Sequence, residues 1–298
     1  MDRALLCGAI AAVLCTCACG QLLPDIKRAE PLMREARSPG GSGIFYHTGP
    51  VMAGGVNIYY IWYGDWSADA TGAALLTTLA QSMGGSPYFN INTTYHAMMN
   101  GRDTAVQNVV HYAGSASDAY SQGKYLSSAA TPQIVADAIV SGKLPADPNG
   151  IYFVLGSADV SENGFCKTSC GWHGSQTVRG VDIKFAFVGN PATQCIHFCS
   201  LFGPNFPPPN GDAGADAMTS IIAHELSESV NDPHMDAWFD LNGDESADKC
   251  QWTFGTMNRV PVGQPNSYGV YNVTLGGKNF LLQQNWVNAA GGYCAMSY

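Results

Sequence analysis

Apolar positions along the chain follow two rhythms, one of strands and one of helices. Residues 56–63, VNIYYIWY, are β-branched or aromatic almost throughout, the pattern of a buried strand, and the run stops at Gly64-Asp65. Residues 68–82 carry apolar side chains at helical spacing and end at Gly84-Gly85. Residues 107–112 predict a second strand. Residues 131–140 predict a helix with Thr131 as N-cap and Pro132 at its first position. Short apolar strands are expected at 151–155, after a Pro-Asn-Gly turn, and at 182–188, where Ile183, Phe185 and Phe187 alternate. A Pro-rich loop at 203–211 leads into a helix over 213–230, and strands follow near 267–273 and 279–283. Strands interspersed with helices predict a mixed α/β (α+β) fold, a single domain with a mixed sheet and packed helices. No internal repeat or linker divides it.

Composition narrows the class. The chain has 298 residues, only 12% charged, with 34 glycines and a net charge of −9. That balance, without a Lys/Arg block, argues against nucleic acid or an anionic membrane as partner. Residues 1–20, MDRALLCGAIAAVLCTCACG, read as a secretory signal peptide, with Ala18 and Gly20 before a cut at Gln21. The apolar run is shorter than a bilayer span needs, and no later segment is long enough, so a secreted, extracellular chain is expected. Residues 21–43 end in RSPGGSG and read as a flexible leader or pro-segment, ahead of one domain over 44–298. Six cysteines remain in the mature chain: Cys166, Cys170, Cys195, Cys199, Cys250 and Cys294. An even set in a secreted chain predicts three disulfides, of open connectivity. Asn92 and Asn272 head glycosylation sequons.

Several long stretches occur together. Phe45-Tyr46-His47 and Gly49-Pro50-Val51-Met52 lead into VNIYYIWYGDW. They are followed by MGGSPYFNINTTY, GKYLSSAATPQIVADAI, LPADPNGIYFVLGSADV, NGFCKTSCGWHGS, FAFVGNPATQC and PPPNGDAGADAM. In this order they resemble the EXORDIUM, or phosphate-induced protein 1, family of secreted proteins, from about residue 44 to the C-terminus. The resemblance implies an extracellular or cell-wall (apoplast) location. In plants it implies promotion of cell expansion, linked to brassinosteroid and carbon-status responses; no biochemical activity comes with it. Where plant members tend to read like LATLLAGTVTNP, this chain reads IIAHELSESVNDP.

That departure holds the candidate chemistry. His224 and Glu228 are four residues apart and share one helix face, the spacing by which zinc hydrolases present two ligands, with Glu225 placed as general base. His234 stands ten residues after His224, the third-ligand spacing of a metzincin, with Asn231 where that motif has Gly. Asp232 and Asp236 are rival third ligands, and Met257 is a weak candidate for a Met-turn. The competing interpretation is an ordinary charged pair on a helix surface. Asp240, Asn242, Asp244 and Asp248 place oxygens as in a calcium loop, but Glu245 and Gln251 stand where an EF-hand needs Gly and Glu. Asp248 is alternatively a carboxylate that reaches the zinc site or orients His224. Cys166, Cys170 and His173 with Cys195, His197 and Cys199 resemble a zinc cluster, but a secreted chain favours disulfides. The expected function is a zinc-dependent, peptidase-like hydrolase acting on an extracellular peptide or cell-wall substrate. The alternative is a non-catalytic wall protein that regulates growth. No nucleophile motif is present.

Overall fold

The computed structural model describes residues 43–298 and the backbone of Lys27–Arg28. The predicted signal peptide and nearly all of the predicted leader lie outside the described residues. A six-stranded sheet carries the rest. Its strands are β1 (Lys27–Arg28), β2 (Val56–Tyr63), β3 (Val110–Asp118), β4 (Gly150–Gly156), β5 (Gly171–Val178) and β6 (Val181–Val188), in spatial order β1-β5-β6-β4-β2-β3. The run β6-β4-β2-β3 is parallel, and β5 pairs antiparallel with β6 and with β1. The sheet is therefore mixed, as the interspersed pattern predicts. Residues 56–63 and 150–156 lack polar alternation because both are central strands covered on two faces.

Helices α1 (Ala70–Met83), α2 (Ala130–Val140) and α3 (Ala213–Asn231) follow strand-like runs. Asp69 caps α1 by accepting the Gly72 N–H. Thr131 is not the cap of α2. That helix begins at Ala130 with no side-chain cap, and Thr131 is buried against the protein. The strand expected at 107–112 instead starts at Val110 and runs to Asp118. The expected pair at 267–273 and 279–283 resolves into short antiparallel ladders, Asn258–Pro261 with Tyr268–Tyr271 and Val273–Leu275 with Lys278–Phe280.

Strand β5 was not legible in the pattern, and it fixes the site. Alternate residues of a strand face opposite ways. Gln176 points to one side, where its Nε2 donates to Pro132 O of α2 (2.7 Å). Gly171, His173 and Ser175 face the other side, toward α3 and the turn after it. A Cβ on Gly171 would lie 2.5 Å from Ile221 Cγ2 and 3.0 Å from Glu225 Oε1, so only glycine lets α3 settle this close. All of Gly214 to Asn231 is buried, although the helix carries Asp216, His224, Glu225 and Glu228.

Three disulfides brace this arrangement: Cys166–Cys195, Cys170–Cys199 and Cys250–Cys294. The first two tie the entry to β5 to the short helix Ile196–Cys199. The cysteines are thus consumed in bridges, and the zinc-cluster alternative falls away. Among the described residues no helix is long and apolar enough to cross a membrane.

Replacing Gly171 by Ala is expected to destabilise the fold by about 1–3 kcal/mol, the usual cost of overpacking. Urea denaturation of the purified variant checks this, with Gly43→Ala, which meets nothing within 4 Å, as the control.

Candidate functional site

His224 and Glu228 lie one turn apart on α3, and the structure brings three more groups to them. His224 Nε2 is 3.1 Å from Glu228 Oε1 and 3.4 Å from Asp248 Oδ1. The other Glu228 oxygen, Oε2, faces His173 Nε2 of β5 at 3.8 Å, and His173 Nε2 is 3.2 Å from Glu245 Oε2. Glu228 therefore lies between two imidazoles. Two groupings with ligand atoms within 4.8 Å of one another share it: His224, Glu228 and Asp248, and His173, Glu228 and Glu245. The Asp248 N–H donates to Glu228 Oε1 (3.0 Å) and holds that carboxylate in place.

The cluster is enclosed. His173, His224, Glu225, Glu228, Glu245 and Asp248 are all between 0% and 5% exposed. Burial pulls the His173 imidazole down to about 4, so it is neutral at neutral pH; Glu228 pulls upward and His224 further downward. Burial also works against a charged His224, but Glu228, Asp248 and Glu225 outweigh it and hold that imidazole well above the ordinary histidine range. Burial and then repulsion from Glu228, Asp232, Asp248 and Glu225 push Glu245 well above the ordinary carboxylate range. Among the described residues Glu245 Oε1, His173 Nδ1 and His224 Nδ1 are buried without a hydrogen-bond partner.

The rival third ligands lie elsewhere. His234 Nδ1 pairs with Ser175 Oγ (2.9 Å) and its Nε2 with Asp182 (3.1 Å), beside β5 and β6. Asn231 makes no left-handed turn. It is the last residue of α3, and its Nδ2 donates to Asn92 Oδ1 and Ser246 Oγ. The left-handed residue comes later, at Met235 (φ 53°), so His234 is carried away from His224. Asp232 Oδ1 accepts the Asp236 and Ala237 N–H groups (2.7 and 2.8 Å), closing the turn after the helix. Gly49 packs against Asp236, whose main chain it bonds. Met257 stands 40% exposed and is no buried platform.

The 240–248 segment is held by its own groups. Asp240 Oδ1 accepts the Asn242 and Asp244 N–H groups, and its Oδ2 takes the Lys249 ammonium at 2.9 Å. Asp248 turns away from that loop to His224. The two sequons differ in setting. Asn92 is fully buried with its Nδ2 on Phe89 O, whereas Asn272 is half-buried, its Nδ2 donating to Phe254 O and Leu282 O.

Comparison with known proteins fixes the family. The phosphate-induced protein 1 conserved region matches residues 44–296. The chain belongs to the phosphate-induced protein 1 family. It is 32% identical over 271 residues to Protein EXORDIUM-like 5 of Arabidopsis thaliana, covering 81% of this chain and 74% of that relative. Protein EXORDIUM-like 3 of the same plant is 30% identical, with 84% and 81% covered. Protein PHOSPHATE-INDUCED 1 of Nicotiana tabacum is 28% identical, with 69% and 71% covered. No solved structure matches it.

In this family member, sequence reasoning missed His173 and Glu245 as site residues. His173 was visible only beside Cys170, where it looked like part of a cysteine cluster. Its position two residues from Gly171 on one strand face was the available signal, once β5 is known to be a strand.

Asp232 supplies a pH test. Burial raises its carboxyl to about 6, against the backbone donors of Ala237 and Asp236 that lower it. An unfolded aspartate titrates near ~3.9, so the folded state binds the proton more tightly, and stability falls as pH rises from about 4 to about 6. Asp232→Asn keeps the oxygen that accepts both N–H groups and carries no charge. Relative to wild type it is expected to gain on the order of 2–3 kcal/mol between pH 4 and pH 6.5. Urea midpoints at the two pH values check this.

Proposed function

We propose that this chain is a secreted EXORDIUM-type protein that works outside the cell, at the wall, in growth or cell expansion, without turning over a substrate. The observation that carries this reading is the enclosure of the candidate chemical centre found among the described residues, whose six residues are no more than 5% exposed. A general base must come within about 3 Å of the proton it takes, directly or through one water. Glu225 instead lies under Gly171 between helix and sheet. An open cavity of about 560 Å³, lined by Thr71, Thr78, Asn210, Asp212 and Lys278, sits at the start of α3. Asp212 precedes His224 by twelve residues, about 18 Å along a helix at 1.5 Å per residue. The three disulfides support an oxidising, extracellular setting. The likeness to plant EXORDIUM proteins supports the role at the wall.

A zinc-dependent, peptidase-like hydrolase is the second reading. It is favoured by His224 and Glu228 on one helix face with Glu225 between them. For it, closure of the site would have to open during turnover.

The two readings part in one experiment. The purified secreted chain, incubated with zinc, is assayed against a mixed fluorogenic peptide library and casein, and supplied to expanding cells for a growth readout. No hydrolysis, and a growth effect equal in wild type and a folded Glu225→Gln variant, is the expected result. Chelator-sensitive hydrolysis that Glu225→Gln abolishes overturns it in favour of the hydrolase.

A further inference from the structure

The buried cluster has the composition of a coordination shell, and the ligand atoms of His224, Glu228 and Asp248 all lie within 4.8 Å of one another. Zinc holds imidazole nitrogen and carboxylate oxygen at about 2.0–2.2 Å, so two ligands of one tetrahedral ion stand about 3.3–3.6 Å apart. His224 Nε2 lies 3.1 Å from Glu228 Oε1 and 3.4 Å from Asp248 Oδ1. The three donors come from rigid places. Two are on buried α3, and the third opens the turn Asp248–Cys250, which the Cys250–Cys294 disulfide pins. Buried carboxylates of this number are costly without a compensating charge. Glu245 Oε1, in the adjoining grouping that shares Glu228, is enclosed with no hydrogen-bond partner among the described residues, so the region holds a polar atom that the protein's own groups leave unanswered.

We propose that His224, Glu228 and Asp248 bind one divalent transition-metal ion of the zinc class. Imidazole with carboxylate oxygens suits zinc and its neighbours better than calcium, which takes six to eight oxygens. His173 is a positioning residue and not a ligand. Its Nε2 makes a buried hydrogen bond with Glu245 at 3.2 Å, while Glu228 Oε2 stands farther off, at 3.8 Å. It sets the orientation of the Glu228 carboxylate from the side opposite His224. His234 and Asp232 take no part, because Ser175, Asp182 and the Asp236 and Ala237 amides already hold them. The ion is structural in this arrangement, and the proposal is independent of whether any substrate is turned over.

The test counts metal. The full secreted chain is stripped with chelator, reloaded with zinc, freed of excess by gel filtration and measured by elemental mass spectrometry, with circular dichroism recording the fold. Wild type is expected to hold about one zinc per chain. Asp248→Asn, which keeps the shape and the backbone N–H to Glu228, is expected to fall below about a tenth of that, as is His224→Ala. His234→Ala and Asp232→Asn are expected to retain about one. His173→Ala is expected to retain zinc but to release it at least tenfold faster to a competing chelator. Folded wild type without zinc, or with two zinc ions per chain, overturns the assignment. So does zinc that survives Asp248→Asn but leaves with His234→Ala. Hydrolysis plays no part in these readouts, so failure of the non-catalytic reading and failure of the ion assignment are separable.

Discussion

A buried helix that carries charge has to be met by other charges, and that constraint organises this molecule. Helix α3 is enclosed over Gly214 to Asn231 yet contains Asp216, His224, Glu225 and Glu228. Each must find a partner or change its protonation. Asp216 accepts two hydrogen bonds from Asn210 and, buried, has its carboxyl pushed up to about 7. His224 and Glu228 are answered by Asp248 and His173. The surrounding chain is arranged to bring those answers from distant parts of the sequence: β5 supplies His173 from one side, and the segment after α3 supplies Glu245 and Asp248 from the other. Helix α3 and the segment around Tyr88 also hold the C-terminal part of the chain to the core, where Ser220 of α3 accepts the Gln283 N–H and Tyr88 donates to Gln283 O.

The parts of this arrangement that the sequence made legible are those where burial and apolarity coincide. Strands β2, β4 and β6 and helices α1 and α3 appear within one or two residues of the pattern that predicts them. The even cysteine count gives three bridges. The long motifs between residues 45 and 218 place the chain in its family. Strand β5 escaped because it is buried while polar: Gly171, His173, Gly174, Ser175 and Gln176 interrupt any hydrophobic rhythm, and Gly171, His173, Ser175 and Gln176 each meet an element far away in sequence. The same applies to Asn92, whose sequon is plain in the sequence while the side chain is an internal link to Asn231.

The spacing argument for His234 shows a different limit. A motif distance of ten residues implies a given geometry only if the helix ends where the motif ends it. Here α3 continues through Asn231, and Asp232 shapes the following turn by accepting two backbone N–H groups. The chain reverses at Met235 and not at Asn231, so His234 meets Ser175 of β5 and Asp182 of β6. The residue that does approach His224, Asp248, is farther along the chain and arrives through tertiary packing.

Asp248 also stands two residues before Cys250, whose bridge to Cys294 spans 44 residues. Closing that loop joins the last strand pair of the chain to the turn that presents the carboxylate. The turn beside His224 is thereby tied to the strand pair that carries Cys294. Two of the donors sit on a helix packed along its whole length, while the third hangs from a turn that the bridge and the Asp248 N–H bond to Glu228 hold in place.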